Sequence, residues 1–297
     1  MIYSVKKDKN LIFDVGMHRG EDTSFYLQKG FRVVAFEANP ELVGFCKTIF
    51  EEYIKNKKLV IVEGAIVNTS SLDPGQRKVP FYVNTDVSVW GTASEQWKER
   101  NSRLGTSSNR VEVDVIDFSE IIREYGVPYY MKIDIEGYDM ICVRSLEQFS
   151  ERPDYISIES DKTKLSNIKS EIDYLVDLGY SAFQAVEQSS IPYFQRSPYP
   201  AREGAFCEHY FERGSSGMFG RELSFNWKSK NEILTLYYFI WLGYKLLGDD
   251  GLMTKWRFAG ADKLKKGVRK AINYFTKAPV PGWYDTHAKL NVLTKVQ

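Results

Sequence analysis

Short apolar runs alternate with polar, helix-like stretches through the first two thirds of the chain. Residues 11–15 form an apolar run that predicts a buried strand, Glu21–Gln28 predicts a helix with acidic residues in its first turn, and residues 33–36 predict the next strand. The same criteria predict strands at 59–62, 130–135, 155–158, 181–186 and 209–213, an inserted hairpin or edge pair at 79–83 and 111–115, and helices at Phe118–Tyr125 and 167–178. This alternation predicts an α/β fold around an open, mostly parallel sheet.

The turn after the first predicted strand is built for close approach to a ligand. Gly16 and Gly20 flank it, and glycine lets the backbone pass near a bound molecule. Glu37 ends the second predicted strand about 20 residues later, where a carboxylate can accept both ribose hydroxyls of an adenosine ligand. The segment therefore predicts half of a nucleotide-binding fold.

The residues of the turn distinguish between nucleotide ligands. The G-x-G-x-x-G pattern of dinucleotide folds is missing, and Asp14 precedes the turn. A carboxylate disfavours a pyrophosphate but favours a sulfonium cation with an amino-acid tail, which indicates S-adenosylmethionine. A nicotinamide-dependent oxidoreductase is the alternative enzyme. The predicted cofactor-binding residues are Asp14, Gly16, His18, Gly20, Asp22, Thr23, Glu37, Ala38, Asn39, Glu63, Gly64 and Ala65.

Two carboxylates, Asp134 and Glu136, end the predicted strand 130–135. They are two residues apart, so they share one side if the strand continues, at the sheet edge where open α/β sheets bind ligands. If the methyl acceptor is a hydroxyl, its methylation requires a base for the proton. The predicted catalytic residues are Asp134, Glu136 and His18, with Asp134 the first choice and Glu159 and His209 as competitors. Mg²⁺ held by Asp134 and Glu136 is the weaker alternative, because the sequence offers no clear third ligand.

Three motifs together resemble one protein family. DVGMHRGEDTSFYL (14–27), VVAFEANP (33–40) and MKIDIEGYD (131–139) occur in the order typical of the FkbM family of S-adenosylmethionine-dependent methyltransferases. GSSGMFG (214–220) and WYDTHAK (283–289) resemble segments of a subset of that family. The resemblance implies a Rossmann-like class I methyltransferase with a seven-stranded sheet, one strand of which is antiparallel. It also implies transfer of a methyl group to a hydroxyl of a sugar, a glycan or a glycosylated intermediate.

Aromatic and polar residues in two segments outline a pocket for such an acceptor. The first segment is the insert near residue 90, and the second follows the sixth predicted strand. Aromatic faces combined with fixed polar groups suit a polyol ring. The predicted acceptor contacts in these two segments are Ser88, Trp90, Tyr193, Arg202 and His209. Tyr284 and His287 are added from WYDTHAK, which we expect to dock back near the site.

Composition narrows the class of protein further. The 297 residues are 43% hydrophobic, enough for a full core, and 40 Lys and Arg against 39 Asp and Glu leave a net charge of +1, which gives no global field for nucleic acid. Three cysteines without metal-ligand spacing are typical of a reduced protein. The first residues, MIYSVKKDKN, form no hydrophobic signal. We therefore expect a cytoplasmic enzyme without a nucleic-acid partner.

The C-terminal region differs from the rest of the chain. We expect a catalytic domain at 1–226 and a helical, basic extension at 227–297. Residues 233–247 are strongly apolar but shorter than the roughly 20 residues of a membrane span. Residues 255–277 carry eight basic residues among aromatic ones, as in a helix that lies on an anionic membrane surface. The extension is thus predicted as a lid, a homo-oligomer interface or a contact with the inner face of the membrane, and a non-catalytic membrane-associated scaffold is the non-enzymatic alternative.

Overall fold

The computed structural model describes residues 2–160, 164–223, 226–248, 251–276, 279–280 and 282–291. Its strands and helices run in the following order: β1 (Lys7–Val15), α1 (Glu21–Gln28), β2 (Arg32–Glu37), α2 (Pro40–Ile49), α3 (Glu51–Lys55), β3 (Leu59–Glu63), β4 (Ala65–Ile66), β5 (Lys78–Asn84), α4 (Glu95–Arg103), β6 (Ser108–Ile116), α5 (Phe118–Tyr125), β7 (Val127–Ile133), α6 (Asp139–Ser145), β8 (Tyr155–Glu159), α7 (Leu165–Asp177), β9 (Tyr180–Glu187), α8 (Ile191–Phe194), α9 (Lys230–Leu247), α10 (Ala261–Thr276) and β10 (Tyr284–Leu290).

Seven of these strands form the central sheet, in the order β3-β2-β1-β7-β8-β10-β9. Neighbouring strands from β3 to β8 are parallel, and β10 is antiparallel to both β8 and β9. The predicted fold, a mostly parallel seven-stranded sheet with one antiparallel strand, is confirmed. The carboxyl ends of β1, β2, β3 and β7 meet at one edge, as ligand binding in an open α/β sheet requires.

The seventh strand comes from a different segment than predicted. Residues 209–213 form no strand; instead the His209 ring packs 5.0 Å from the Phe25 ring of α1, and Phe211 packs 4.8 Å from it. Tyr284–Leu290 completes the sheet instead, although its buried residues include Asp285 and His287. The C-terminal segment is therefore not helical throughout, whereas the boundary at residue 226 stays a prediction.

Strand β7 ends earlier than predicted, at Ile133. The Asp134 amide still donates to the Val15 carbonyl at 2.9 Å, but Glu136 adopts a left-handed conformation with φ 49°. The prediction that Asp134 and Glu136 share one face of a continuing strand is wrong, because the chain turns between them. The two side chains are placed by that turn instead.

A small second sheet adjoins the ligand-binding edge. Strands β5 and β6 are antiparallel, as the predicted pair requires, and β4 joins β6 in parallel. Gly64 connects β3 to β4 with φ 137°, and a Cβ atom there would lie 2.4 Å from the Asp114 carbonyl oxygen. Only glycine therefore permits this close crossing. Between β5 and β6 the chain forms a one-turn 3₁₀ helix, Ser88–Trp90, and then α4.

Successive side chains of β1 point to opposite faces of the sheet, and the hydrophobic core is divided between these two faces. Phe13 packs on one side with Phe118 and Phe36, and Ile12 packs on the other with the cluster around Phe25 and Phe219. Both faces of the parallel strands are covered in this arrangement, so a ligand can reach the sheet only at its edge.

Helices α9 and α10 pack against each other. Helix α9 begins with a capping box between Ser229 and Glu232, and it buries Ile233, Tyr237 and Ile240. The Phe275 ring of α10 stacks on the α9 residue Phe239 with ring centroids 5.4 Å apart. No helix within the described ranges is long and apolar enough to cross a membrane.

Candidate active site

The glycine turn between β1 and α1 is tightly closed. The Gly16 and Met17 amides both donate to the Phe36 carbonyl, at 3.1 and 2.9 Å. A Cβ atom on Gly16 would lie 1.9 Å from the Asp134 carbonyl oxygen, so any side chain would displace the end of β7. The turn thus brings the ends of β1, β2 and β7 together with bare backbone facing the cavity.

The Glu37 carboxylate is fixed at the end of β2 by two backbone amides. Oε2 accepts from the His18 amide at 2.9 Å, and Oε1 accepts from the Asn39 amide at 2.8 Å. Burial raises the pKa of Glu37 while these amides oppose the rise. Each carboxylate oxygen has a second lone-pair site, so Glu37 can still accept from ligand hydroxyls.

A first cavity, which we call the donor cavity, lies against this turn. Of the residues predicted to bind the cofactor, its lining includes Gly16, His18, Asp22, Glu37, Ala38, Asn39, Gly64 and Ala65. Lys132, Asp134, Glu136 and Ser88 line it as well. Asp14, Gly20, Thr23 and Glu63 are not part of this lining, and each has a different role.

Asp14 lies behind the turn, fully buried, rather than against the cavity. Its Oδ2 accepts from Thr23 Oγ1 at 2.5 Å, and its Oδ1 lies 3.3 Å from Lys132 Nζ. Burial raises the pKa of Asp14 although the Lys132 charge opposes it. Asp14 and Thr23 therefore belong to an internal network behind the turn, and their direct contact with the cofactor stays a prediction.

Lys132 was not among the predicted site residues, yet it lines the donor cavity. Its Nζ donates to the Gly16 carbonyl at 2.6 Å, so it braces the glycine turn from below. Burial lowers the pKa of Lys132, but the nearby Asp14, Asp134 and Asp22 outweigh burial and raise it. A lysine inside an otherwise apolar strand was the signal in the sequence. Its position opposite Asp14 on the neighbouring strand is visible only in the structure.

Two other predicted cofactor contacts are structural. Gly20 precedes α1 with φ 85°, and a Cβ atom there would lie 2.3 Å from the Phe50 ring, so this glycine serves packing. Glu63 is exposed and forms an ion pair with Lys47 at the surface. Its side chain therefore does not reach the donor cavity.

Asp22 fastens a distant segment to α1. Its two carboxylate oxygens accept from the Ser216 amide at 3.0 and 2.9 Å. Burial raises the pKa of Asp22 to about 7. Gly214, from the same GSSGMFG segment, lines the donor cavity. Asp22 therefore holds this segment against the site as well as lining the donor cavity itself.

The turn after β7 presents Asp134 to the site. The Asp139 carboxylate accepts from the Ile135 and Gly137 amides at 3.1 and 3.2 Å, and the Glu136 carbonyl accepts from Thr92 Oγ1 at 2.9 Å. Within the described part of the chain, no hydrogen bond or ion pair engages the Asp134 carboxylate. The surrounding contacts fix the backbone and leave this carboxylate available.

Gly137 makes room for an aromatic side chain of the insert. Its φ is 102°, and a Cβ atom there would lie 2.2 Å from Trp97 Nε1. Trp97 in turn lies under the Arg100 guanidinium, 4.7 Å from ring centroid to Cζ. Trp97 was not predicted as a site residue, because its contact with the turn depends on the tertiary fold.

A second cavity of about 960 Å³, which we call the acceptor cavity, adjoins the first. Asp134, Glu136, Val89 and Gly214 line both cavities. The other lining residues include aromatic rings and charged groups: Trp90, Trp97, Tyr174, Trp283, Arg100, Arg144, Arg213, Asp139 and Glu159. Burial, together with the charges of Glu136 and Asp134, raises the pKa of Glu159. The two predicted carboxylates thus stand where the two cavities meet.

His18 connects the turn to the insert instead of projecting a free imidazole. Its Nδ1 lies 2.9 Å from Glu21 Oε1, and its Nε2 lies 3.0 Å from Ser88 Oγ. Both ring nitrogens are therefore engaged. This geometry favours a positioning role over the predicted role as base.

The structure brings two of the predicted acceptor contacts, Ser88 and Trp90, to the two cavities and leaves the others outside them. Tyr193 and Arg202 are exposed at the surface, and His209 packs on Phe25. Tyr284 donates to the Pro279 carbonyl at 2.5 Å, and burial lowers the pKa of His287, inside β10, to about 3. None of these five residues lines either cavity, and their roles as acceptor contacts stay predictions.

The arrangement of side chains does not support the alternative of a Mg²⁺ site at Asp134 and Glu136. In the described ranges, no group of three or more His, Cys, Asp or Glu residues is arranged to hold a metal ion. Mg²⁺ at Asp134 and Glu136 therefore acquires no third protein ligand there.

Comparison with known proteins assigns the family. Residues 14–182 match the family model described as "Methyltransferase FkbM domain". No curated protein matches the chain. Similar solved structures include an S-adenosylmethionine-dependent methyltransferase from Archaeoglobus fulgidus, with 12% identity, coverage of 95% of this chain and 87% of that chain, and a TM-score of 0.38. Another, from Geobacter sulfurreducens in complex with S-adenosyl-L-homocysteine, has 9% identity, coverage of 96% and 85%, and a TM-score of 0.34.

These scores are too low for the structural likeness to support an assignment, which depends on the domain match alone. That match spans more than half of the chain and includes the glycine turn, Glu37 and Asp134. The protein therefore belongs to the FkbM methyltransferase family and is an S-adenosylmethionine-dependent methyltransferase.

Proposed function

We propose that this enzyme methylates a hydroxyl of a sugar, a glycan or a glycosylated intermediate. The observation that carries the proposal is the position of Asp134 and Glu136 at the junction of the donor and acceptor cavities. Family membership replaces both earlier alternatives, the nicotinamide-dependent oxidoreductase and the non-catalytic scaffold. The family gives the type of reaction, and the residues of the site support the class of acceptor.

The donor cavity offers the methyl donor fixed hydrogen-bond acceptors and bare backbone. Glu37 would hold the ribose hydroxyls, since two amides fix its carboxylate and leave lone pairs available. Gly64 and Ala65 would lie along the adenine, where the backbone is exposed to the cavity. Gly16 and His18 would bound the methionine end. When bound, S-adenosylmethionine supplies a methyl group activated by its sulfonium.

Asp134 is the best-placed base for a hydroxyl acceptor. An alcohol must lose its proton as its oxygen is methylated, and a positioned base contributes roughly 10²- to 10⁴-fold to the rate. Asp134 lines both cavities, and no other described side chain forms a hydrogen bond or ion pair with its carboxylate. Glu159, which lines only the acceptor cavity of the two, is the second candidate.

The lining of the acceptor cavity suits a sugar. Three of the six tryptophans of the chain, Trp90, Trp97 and Trp283, line it together with Tyr174. Aromatic rings offer flat apolar faces, and the carboxylates and Gln188 beside them offer hydrogen-bond partners for hydroxyls. Its volume of about 960 Å³ is at the upper end of the range for ligand pockets. These features support an acceptor larger than a single small alcohol.

The cysteines support a cytoplasmic reaction. Cys46, Cys142 and Cys207 are all free, and Cys46 and Cys142 are buried. Unpaired cysteines are typical of proteins in reducing compartments. We therefore extend the proposal to an enzyme that works in the cytoplasm.

The experiment is a methyl-transfer assay with isotopically labelled S-adenosylmethionine. The acceptor panel contains oligosaccharides, nucleotide sugars and glycosylated small molecules, with a catechol and a primary amine as non-sugar controls. Mass spectrometry then locates the methyl group on the product. We expect an O-methyl sugar, and transfer to the amine or the catechol without transfer to any saccharide would overturn the proposed acceptor class.

A further inference from the structure

Apolar side chains lie exposed along the C-terminal helix and the turn before it. Leu252 is 72% exposed, Phe258 56%, Leu264 47% and Phe275 62%. Helix α10 buries Ala261, Ile272 and Thr276 and packs against α9. Leu252, Phe258 and Leu264 are therefore additional to the packed face of the helix, whereas Phe275 stacks on Phe239 of α9 and exposes the rest of its ring.

The same segment carries a strong excess of positive charge. Residues 255–276 contain seven Lys or Arg and one acid, Asp262. Asp262 lies 4.0 Å from Lys265, while no carboxylate of the described chain lies within 4.0 Å of the other six cations. These six are Lys255, Arg257, Lys263, Lys266, Arg269 and Lys270. The described part of the chain therefore supplies no carboxylate that neutralises these six charges.

Helical spacing sorts the two kinds of residue into two lines on the exposed part of α10. Leu264, Ala271 and Phe275 are seven and four residues apart, so they follow one line along the helix. Lys263, Lys266 and Lys270 are three and four residues apart and follow a second line, roughly 120° further round the helix. The six residues of both lines are exposed.

We infer that this surface, made of the exposed apolar residues and the six unpaired cations, docks on an anionic lipid bilayer. Lysine and arginine side chains attract anionic headgroups, and Phe258 and Leu264 enter the boundary between headgroups and acyl chains. A second copy of the chain is a poorer partner, because face-to-face packing would oppose like charges. Nucleic acid satisfies the charges but leaves the apolar stripe exposed to water. The inference does not depend on the identity of the methyl acceptor.

The test is co-sedimentation of the full-length protein with vesicles at low salt. One set contains phosphatidylcholine alone, and the other contains phosphatidylcholine mixed with phosphatidylglycerol. Each basic residue near an anionic surface strengthens binding by roughly fivefold. We therefore expect K263E/K266E/K270E to weaken binding to the anionic vesicles by roughly 10²-fold or more, and high salt to weaken wild-type binding.

Two further variants separate the contribution of the α10 charges to binding from that of the apolar side chains. The charge-matched control K55E/K57E/K58E changes three exposed lysines at the end of α3, and it should bind anionic vesicles like wild type. F258S/L264S keeps every charge but should also release the protein, because the apolar contacts are lost. Circular dichroism and binding of S-adenosylhomocysteine verify that each variant is folded.

Three outcomes would overturn the inference. One is equal vesicle binding by K263E/K266E/K270E and by the α3 control. Another is binding to duplex RNA or DNA, but not to vesicles, that F258S/L264S leaves intact. The last is a concentration-dependent dimer in analytical ultracentrifugation that F258S/L264S abolishes while vesicles bind neither protein. Failure of the saccharide assay would leave all of these readouts unchanged, so the two proposals can fail separately.

Discussion

Ser88 Oγ lies 3.0 Å from His18 Nε2, and this contact joins the insert between β5 and β6 to the glycine turn of the donor cavity. His18 is fixed on its other side by Glu21, at 2.9 Å from Nδ1. Val89, next to Ser88, lines both cavities. The imidazole therefore acts as a link between the turn that would hold the donor and the segment that would cover it.

Ser88→Ala should loosen this link without disturbing the pair of His18 and Glu21. The loss of one hydrogen bond of about 1 kcal/mol should raise the KM for S-adenosylmethionine roughly fivefold. Ser70→Ala is the control, because Ser70 lies in a comparable 3₁₀ turn, Thr69–Ser71, away from both cavities. Equal KM values for the two variants would show that the contact has no part in binding.

Glu37→Gln should weaken binding of the methyl donor. It keeps one carbonyl oxygen but loses the charge that strengthens hydrogen bonds to ribose, so we expect a loss of about 1 to 3 kcal/mol. Glu63→Gln is a close control, because Glu63 is paired in register with Glu37 at the end of β3 but is exposed. Calorimetry with S-adenosylhomocysteine measures the difference, and wild-type affinity in both variants would contradict the assignment of the donor cavity.

Asp134→Asn should abolish most turnover and leave donor binding intact. Asparagine keeps the size of the side chain but cannot take a proton, so kcat should fall by roughly 10² or more. Glu159→Gln, measured in parallel, distinguishes the two candidate bases. A large loss in Glu159→Gln with little change in Asp134→Asn would transfer the role to Glu159.

Asp285 should make the protein less stable as pH rises. Burial and the charge of Asp134 raise the pKa of Asp285 from 3.8 to about 7. Between these values the folded protein holds a proton that the unfolded chain has lost, so this stabilisation is complete below pH 3.8 and disappears as pH rises through 7. Asp285→Asn cannot ionise and keeps an acceptor for Gln188.

The melting temperature of wild type, measured from pH 4 to pH 8, should therefore fall relative to that of Asp285→Asn. A smaller slope persists in the variant, because burial also raises the pKa of Asp22 to about 7 and that of Asp139 to about 6. Parallel curves for the two proteins would show that Asp285 does not titrate in this range.

Local chemistry explains which features could be predicted from the sequence. Helix α1 and the turn at Gly16 are set by short-range signals, namely glycine conformation, acidic residues in a first helical turn and an apolar strand on each side. Helix α5 has the predicted bounds for the same reason, since Asp117 caps it and Gly126 ends it. Such signals act within a few residues and need no partner from elsewhere.

Features that depend on distant segments were not visible in the pattern. Asp14 looked like a ligand contact because its partner Lys132 lies on another strand. The sequence of strand β10 is polar and gives no sign of burial. Its Thr286 is buried because the Tyr237 and Ser160 hydroxyls supply hydrogen-bond partners in the folded protein. Buried polar groups of this kind are stabilised by tertiary hydrogen bonds, which hydrophobic periodicity does not report.

Deletion of residues 227–297 should unfold the protein, because β10 lies between β8 and β9 and is the strand that joins them in the described sheet. Ala288→Glu isolates this effect in the full chain: Ala288 is fully buried in β10, and an unpaired carboxylate there costs several kcal/mol, whereas Lys289→Glu, on the exposed side of the same strand, should change stability by less than about 0.5 kcal/mol. Thermal unfolding and S-adenosylhomocysteine binding measure all three proteins. A truncated chain that binds S-adenosylhomocysteine and melts like wild type would show that the sheet does not need β10, whereas a stable Ala288→Glu variant would show that the antiparallel pairing of this strand is wrong.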